Sequence, residues 1–513
     1  MTHSLALGRT RSKFDETQVP GFGIFRTGAL GLGTSYGAAQ ITCGTDEVLL
    51  IDEVEIYGLT PDSSANVTAF LKVNDIEMRF HFPGLVNQRK NDQMVWRPKG
   101  NLMVRPGQTL TAKASAANTI HMHARYRRMQ LSKAIMLAEV QGGLTNVCST
   151  DTVAGSGTSA ATAKAILTGV AGYHVEVLGF TLTGHNYNAA VDSIRLGFWD
   201  GTTGTTFASG GKTIFKGYAC GADREYSPRL LIGDTRGCIQ GPTGWGLYIQ
   251  ASTNLAGATP TADFNVIYRL VKTQTKLHNM QLATSLTGAV TSVVVDKIPQ
   301  DIAQTGTLSI TLNSGSVYDA TYTAYVASTK TFTIDSHDFT ATPATAGVRV
   351  YVNTPLYDVA SPTGALGLIP TGMKKWWVVD ETAPAAGGSS ASHYFFGTGT
   401  ATAMMRMRGH ALSAVCDTTA SYAVTGIGVG SDYVSPVIPF TIMNDDGALA
   451  EVSRTWGRDD TAVWMSTAQA PAFTGIDVSS KILNKCHLAW GTFDDKSISH
   501  ATANVKTFTT TPP

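Results

Sequence analysis

The chain is poor in charge. Of 513 residues, 15% are Asp, Glu, Lys or Arg, against roughly 25% in ordinary soluble domains. The formal net charge is +1. A nucleic-acid binder needs a basic excess and an anionic-membrane binder a basic patch, so both classes are disfavoured. No run reaches the ~20 apolar residues of a membrane-spanning helix. The N-terminus, Met1 to Arg9, lacks the apolar stretch of about 7–15 residues that marks a secretory leader, which predicts synthesis and assembly in a cytoplasm. The six cysteines include no Cys-x-x-Cys pair, which argues against a zinc knuckle or a thioredoxin-like motif. They read as buried free thiols. Cys43 and Cys148, in arm-like or linker segments, are the candidates for bridges between subunits.

Motifs for chemistry are equally sparse. His121 and His123 have a spacing zinc can use, but no Cys or acidic cluster completes a ligand set, so they read as a surface pair. Gly28 to Gly33 follows no strand and precedes no helix, unlike a phosphate loop. Asn444-Asp445-Asp446-Gly447 lacks the alternate carboxylates of a calcium loop and reads as a turn. The acidic pairs Asp459-Asp460 and Asp494-Asp495 could serve glycoside cleavage only if the fold set two carboxylates about 5–9 Å apart. There is no Gly-x-Ser-x-Gly nucleophile elbow. The expectation is a non-enzyme with no cofactor and no metal.

What is abundant is Gly, Thr, Ser and Ala, with 43% hydrophobic residues. β-Branched side chains suit a pleated surface, and strand-like alternation recurs throughout. At roughly 150 residues per domain the length suggests three or four domains. Residues 1–44 read as an extended arm, too apolar for a solvated tail, with Phe22, Ile24, Phe25, Leu30, Leu32 and Tyr36 as candidate assembly contacts. Residues 45–135 read as a jelly-roll-like β-sandwich, 136–164 as a linker, and 165–275 as a second copy of that sandwich. Three ordered matches support the duplication. Val175–Gly184 resembles the strand that ends at Gly58. Gly244–Ser252 repeats Gly107–Ser115, and Phe264–Arg269 repeats Met122–Arg127. A small β-module spans 283–356. Residues 357–513 form a C-terminal β-rich domain holding five of the eight tryptophans. Of these, Trp376, Trp377, Trp456 and Trp464 are candidate contacts for a glycan or a partner.

The fold class predicted is all-β: tandem jelly-roll-like sandwiches, a small β-insert and a C-terminal β-domain. This organisation resembles the decoration, collar or fibre proteins of tailed-bacteriophage particles. The likeness lies in the glycine-rich apolar arm, the duplicated sandwiches, the low charge, and a module with the cadence Gly306-Thr307-Leu308-Ser309-Ile310 and Lys330-Thr331-Phe332-Thr333-Ile334. The resemblance implies a non-catalytic virion subunit, often a homotrimer, with the major capsid or neck proteins as partners and with no nucleic acid or membrane. Two other readings are a tail-fibre adhesin that binds host surface glycans through the C-terminal domain, and a polysaccharide depolymerase.

Overall fold

The computed structural model describes residues between 21 and 494, chiefly the strands and the turns that join them. Residues 1–20 and 495–513 lie outside the description, as do several internal stretches, including 133–145, 150–162, 252–260, 356–373 and 391–403. The regular secondary structure of the described residues is almost entirely β-strand, with short helical turns such as Phe207–Gly210.

The first sandwich contains β1 (Gly21–Arg26), β2 (Gln40–Thr42), β3 (Glu47–Leu59), β4 (Val67–Val73), β5 (Ile76–Phe82), β6 (Asn91–Trp96), β7 (Leu102–Val104), β8 (Thr109–Ala114) and β9 (Ile120–Gln130). One sheet runs β1-β9-β3-β6, with β7 also paired to β3, and the other runs β2-β8-β4-β5. With β6 and β7 counted as one interrupted strand, the orders are 1-8-3-6 and 2-7-4-5, the two sheets of a jelly roll. The alternation of β9 explains why it lies centrally: Ile120, Met122, Ala124 and Tyr126 are buried against the other sheet, while His121, His123, Arg125 and Arg127 face outward.

The same plan recurs twice. The second sandwich contains β10 (Asn146–Ser149), β11 (Lys164–Leu167), β12 (Tyr173–Asn186), β13 (Asp192–Trp199), β14 (Lys212–Ala219), β15 (Arg224–Glu225), β16 (Leu230–Ile232), β17 (Ile239–Gln240), β18 (Gly246–Ala251) and β19 (Thr261–Lys272). Its sheets are β10-β19-β12, continued by β15, β16 and β17 on β12, and β11-β18-β13-β14.

A six-stranded unit follows: β20 (Thr275–Gln281), β21 (Ala289–Val294), β22 (Gly306–Thr311), β23 (Val317–Val326), β24 (Thr331–Asp338) and β25 (Arg349–Pro355). Its order is β20-β25-β22-β23-β24-β21. The Leu282–Val295 bridge and the bond from the Ala283 N–H to the Val294 carbonyl tie the two outer strands together, so the sheet closes into a small barrel. It encloses a separate core that includes Ile310, Tyr322 and Phe332.

The third sandwich contains β26 (Lys374–Thr382), β27 (Gly388–Ser390), β28 (Met404–Cys416), β29 (Tyr422–Val429), β30 (Ile438–Met443), β31 (Ala450–Gly457), β32 (Val463–Ser466), β33 (Phe473–Asp477) and β34 (Ile482–Asp494). Its sheets are β26-β34-β28-β31, with β32 also on β28, and β27-β33-β29-β30. The C-terminal domain is therefore a jelly roll as well.

A shared irregularity strengthens the equivalence. In each copy the third strand bulges where its sixth-strand partner is interrupted: between Ile51 and Glu53, between Val177 and Gly179, and between Met407 and Gly409. An extra residue unpaired at one point bends a strand and increases its twist. Tyr126 lies opposite Ile51 and Tyr268 opposite Val177, each beside the bulge, with Gly491 opposite Met407 in the third copy. Gly107 and Gly244 both adopt positive φ, 71° and 81°, in the turn before the seventh strand, a conformation glycine adopts at little cost.

Three sequence boundaries move. The small module begins at Thr275 and not at residue 283, because β20 pairs with β25. The arm is not free of the first sandwich: Gly21–Arg26 pairs along its full length with β9, and Gln40–Thr42 pairs with β8. A glycine-interrupted strand carries little propensity of its own, and the ladder on β9 supplies what the local sequence lacks. Likewise part of the linker, Asn146–Ser149, is the first strand of the second sandwich.

Candidate functional site

Among the described residues, a set of buried polar side chains gathers at two joints between sandwiches, and both joints are built the same way. The edge strand of one copy's smaller sheet lies across the larger sheet of the next copy. In the first joint β5 packs on β10, β12 and β19; in the second β14 packs on β26, β28 and β34. An edge strand carries unpaired backbone groups that must find partners when buried. Side chains of the next sandwich supply them. The Arg79 N–H donates to Asn265 Oδ1 at 2.9 Å, and Asn265 Nδ2 donates to the Arg79 carbonyl at 2.8 Å, so the amide takes the place of a neighbouring strand. Two residues on, the His81 N–H donates to Thr183 Oγ1 at 3.1 Å. At the second joint the Lys216 N–H donates to Cys486 Sγ at 3.3 Å and the Tyr218 N–H to Ser413 Oγ at 2.9 Å.

Ionic and aromatic groups add to these contacts. His81 Nε2 lies 2.5 Å from Asp263 Oδ2, with both side chains buried, and His81 Nδ1 lies 3.0 Å from Thr68 Oγ1. At the second joint Asp380 accepts from the Tyr218 hydroxyl at 2.8 Å and from Lys216 Nζ at 3.3 Å. Burial, and next the Asp380 charge, push the Tyr218 hydroxyl well above its ordinary pKa, so it stays a donor. Each joint also has an indole tether. Trp96 Nε1 donates to the Ile232 carbonyl at 3.0 Å, and Trp376 Nε1 donates to the Gln240 carbonyl at 2.7 Å. Apolar contact is continuous across both: Leu178 and Ile267 belong to the first core, and Trp376, Leu488 and Trp490 to the second.

Several residues singled out in the sequence fall elsewhere than expected. Trp376 is 1% exposed and spans a joint, so it is no open glycan platform. Trp377 lies in β26, Trp456 opposite His410, and Trp464 opposite Arg406; the placement of these three side chains lies outside the description. Among the arm residues, Phe22, Ile24 and Phe25 pair with Arg127, Arg125 and Ala124. Leu32 is buried in the first core and contributes to its own domain. The Tyr36 hydroxyl donates to Glu77 at 2.6 Å, and Lys113 stands 4.4 Å from its ring centre. Leu30 lies outside the described residues. Cys43 is buried, its thiol donating to the Glu47 carbonyl at 3.1 Å, which corrects its reading as a bridge between subunits. Burial first, and then the Glu47 carboxylate, push that thiol up to about 11. Cys148 pairs with Val266 in the second sandwich. The acidic segments at 444–447 and 459–460 lie outside the described residues.

Sequence reasoning missed the joint residues Asn265, Thr183, Asp263 and Ser413. Polar positions on the outer face of a strand read as solvated, and only the neighbouring sandwich makes them buried. On the barrel, an open depression of about 570 Å³ is lined by Asn279, Gln281, Asp296, Lys297 and Arg349. Among the described residues no group of three His, Cys, Asp or Glu side chains is placed to hold a metal ion.

No protein-family model matches the sequence, and no curated protein matches it. Among solved structures the STIV MCP aligns over 49% of this chain and 94% of its own, at 8% identity and a TM-score of 0.25. An archaeal-virus protein with a triple jelly roll fold and a turret assembly aligns over 90% of this chain and 84% of its own, at 8% identity and a TM-score of 0.14. A tandem of two CBM22 domains from Paenibacillus barcinonensis aligns over 52% and 96%, at 10% identity and a TM-score of 0.13. The assignment of three jelly rolls rests on strand order and register, not on these alignments.

Proposed function

We propose that this chain is a non-catalytic structural subunit of a virus particle, a head decoration or neck and collar protein of a tailed bacteriophage that oligomerises, as a homotrimer, on capsid or neck proteins. The observation that supports this reading most is the repeated joint. Buried polar groups are commonly spent on catalysis or ligand binding. Here the buried hydroxyls, amide and carboxylates of the joints hold one sandwich rigidly on the next. The product is a spine of three jelly rolls, with the barrel inserted in the chain between the second and the third. Low charge fits a surface that packs against neighbours with little self-repulsion. Assembly in the cytoplasm of a bacterial host and a place in the virion complete the reading.

Localisation in electron microscopy of intact particles tests it: density for three tandem jelly rolls on the head or neck is the expected result. Density at the distal tip of a tail fibre favours the adhesin instead. Absence from purified particles overturns the virion role. Turnover of host polysaccharide abolished by mutating one acidic pair overturns the non-catalytic role.

A further inference from the structure

The two internal joints use four equivalent positions on the larger sheet, defined by their distance from the shared bulge. In the second sandwich these are Thr181, Thr183, Asp263 and Asn265; in the third they are Ala411, Ser413, Cys486 and Leu488. All eight residues are 0% exposed, because the edge strand of the preceding sandwich covers them. The first sandwich has the same four positions, occupied by Glu55, Tyr57, His121 and His123. No sandwich precedes it among the described residues, and here the face is open: the side chains of Glu55 and His123 are 33% and 35% exposed, and that of Arg125 beside them 68%.

This open face is ordered. The Tyr57 ring stacks on His121 with centroids 5.1 Å apart and 9° between planes, and its hydroxyl lies 3.3 Å from His123 Nε2. Tyr57 thus holds the strand position from which Thr183 and Ser413 accept an edge-strand amide, and its ring carries the hydroxyl further out, onto the surface of the face. The third sandwich carries the matching half of such a contact. Strand β30 is the counterpart of β5 and β14, and it forms the edge of its sheet, paired with β29. Pro439 lies within β30 and lacks an N–H, which disfavours extension of the sheet by another strand. It leaves the face-on seating that both internal joints use.

We propose that the outer face around Glu55, Tyr57, His121 and His123 is a docking site for a second copy of this chain, seated through its strand β30. The series that runs from the first sandwich to the second and the third then continues from one chain into the next. Such a head-to-tail contact uses two different surfaces, so it closes into a ring or runs on as a filament. The inference follows from strand geometry and goes beyond the proposed role, so it stands or fails independently of where the protein sits in a particle.

The test uses the full chain with a photo-crosslinking benzophenone amino acid in place of Tyr57, mixed as isotopically heavy and light copies. The expected product joins position 57 of one copy to residues 438–443 of another, in mixed heavy–light pairs. In sedimentation the His123→Glu variant, which sets a second carboxylate beside Glu55, weakens self-association at least tenfold while the melting curve and circular dichroism stay unchanged. Tyr57→Phe, which removes only the hydroxyl, weakens it in the same direction. A crosslink to any other part of a second copy overturns the proposal, as does a chain that stays monomeric at every concentration.

Discussion

His81 and Tyr218 occupy the same position on the same edge strand in successive sandwiches, and each donates its backbone N–H to a buried hydroxyl of the next, Thr183 or Ser413. The side chains at this shared position differ in kind, an imidazole held by Asp263 and a phenol held by Asp380. A conserved backbone geometry with divergent side chains shows that the docking mode is a property of the fold. Each joint then tunes it with its own carboxylate.

The His81–Asp263 contact is expected to be a large single contributor to the first joint. Asp263→Ala leaves the buried imidazole without its acceptor and should lower unfolding stability by roughly 2–3 kcal/mol. Asp263→Asn keeps an oxygen in place and should lower it by less. Urea denaturation checks both; equal stability of the alanine variant and the parent would remove this pair from the account of the joint.

Gly233 of the second sandwich lies directly against the Arg97 backbone of the first. A Cβ built there overlaps the carbonyl of Arg97, which is backbone and cannot swing aside. Gly233→Ala should therefore cost about 1–3 kcal/mol by overpacking. It should also speed hydrogen exchange at the amides around Asn101, whose side chain donates to the Gly233 carbonyl at 3.3 Å. Unchanged stability together with unchanged exchange around Asn101 is the contrary outcome.

The third sandwich should be acid-sensitive. Burial lowers His410 from 6.5 to about 4, and burial, followed by Lys485 and His410, lowers His487 well below its ordinary value. Both rings stay neutral when folded and take up protons when unfolded. Stability is thus fully present above about pH 6.5 and is lost as the pH falls towards about 4, by an amount on the order of 3 kcal/mol for His410. Urea midpoints measured from pH 7 to pH 4 should fall, and His410→Leu should flatten the slope.

Cys43, Cys238, Cys416 and Cys486 are buried free thiols. In the folded protein they should react with a thiol reagent far more slowly than in denaturant. Cys43→Ser should leave the oligomeric state unchanged on a non-reducing gel and in light scattering. A disulfide-linked dimer that disappears in this variant is the result to watch for.

The all-β class was legible because alternation and turn glycines report on single strands. The relation between the first two sandwiches was legible because both copies keep the same side chains at demanding points: Gly107 and Gly244 at positive φ, and Tyr126 and Tyr268 beside the bulge. The third copy is not legible in the sequence, because Gly491 stands where those tyrosines would be and because the barrel separates it from its siblings. The strand at Gly21–Arg26 is hidden by its glycines, since pairing with β9 and not local propensity forms it. The joints were illegible for another reason. Thr183, Asp263 and Asn265 are spaced like any solvated strand face, and their burial depends on Arg79 and His81, over 100 residues away in the chain.

The two ends of the barrel lie side by side, since Thr275 and Pro355 are direct partners across β20 and β25. Antiparallel partners lie about 5 Å apart, so a loop of a few residues spans the gap left by removing everything between them. The barrel thus behaves as cargo on a fixed mast. Lineages or engineers can exchange it for another compact domain with adjacent termini and present a new surface to the surroundings, while the three jelly rolls beneath keep their order and their seams.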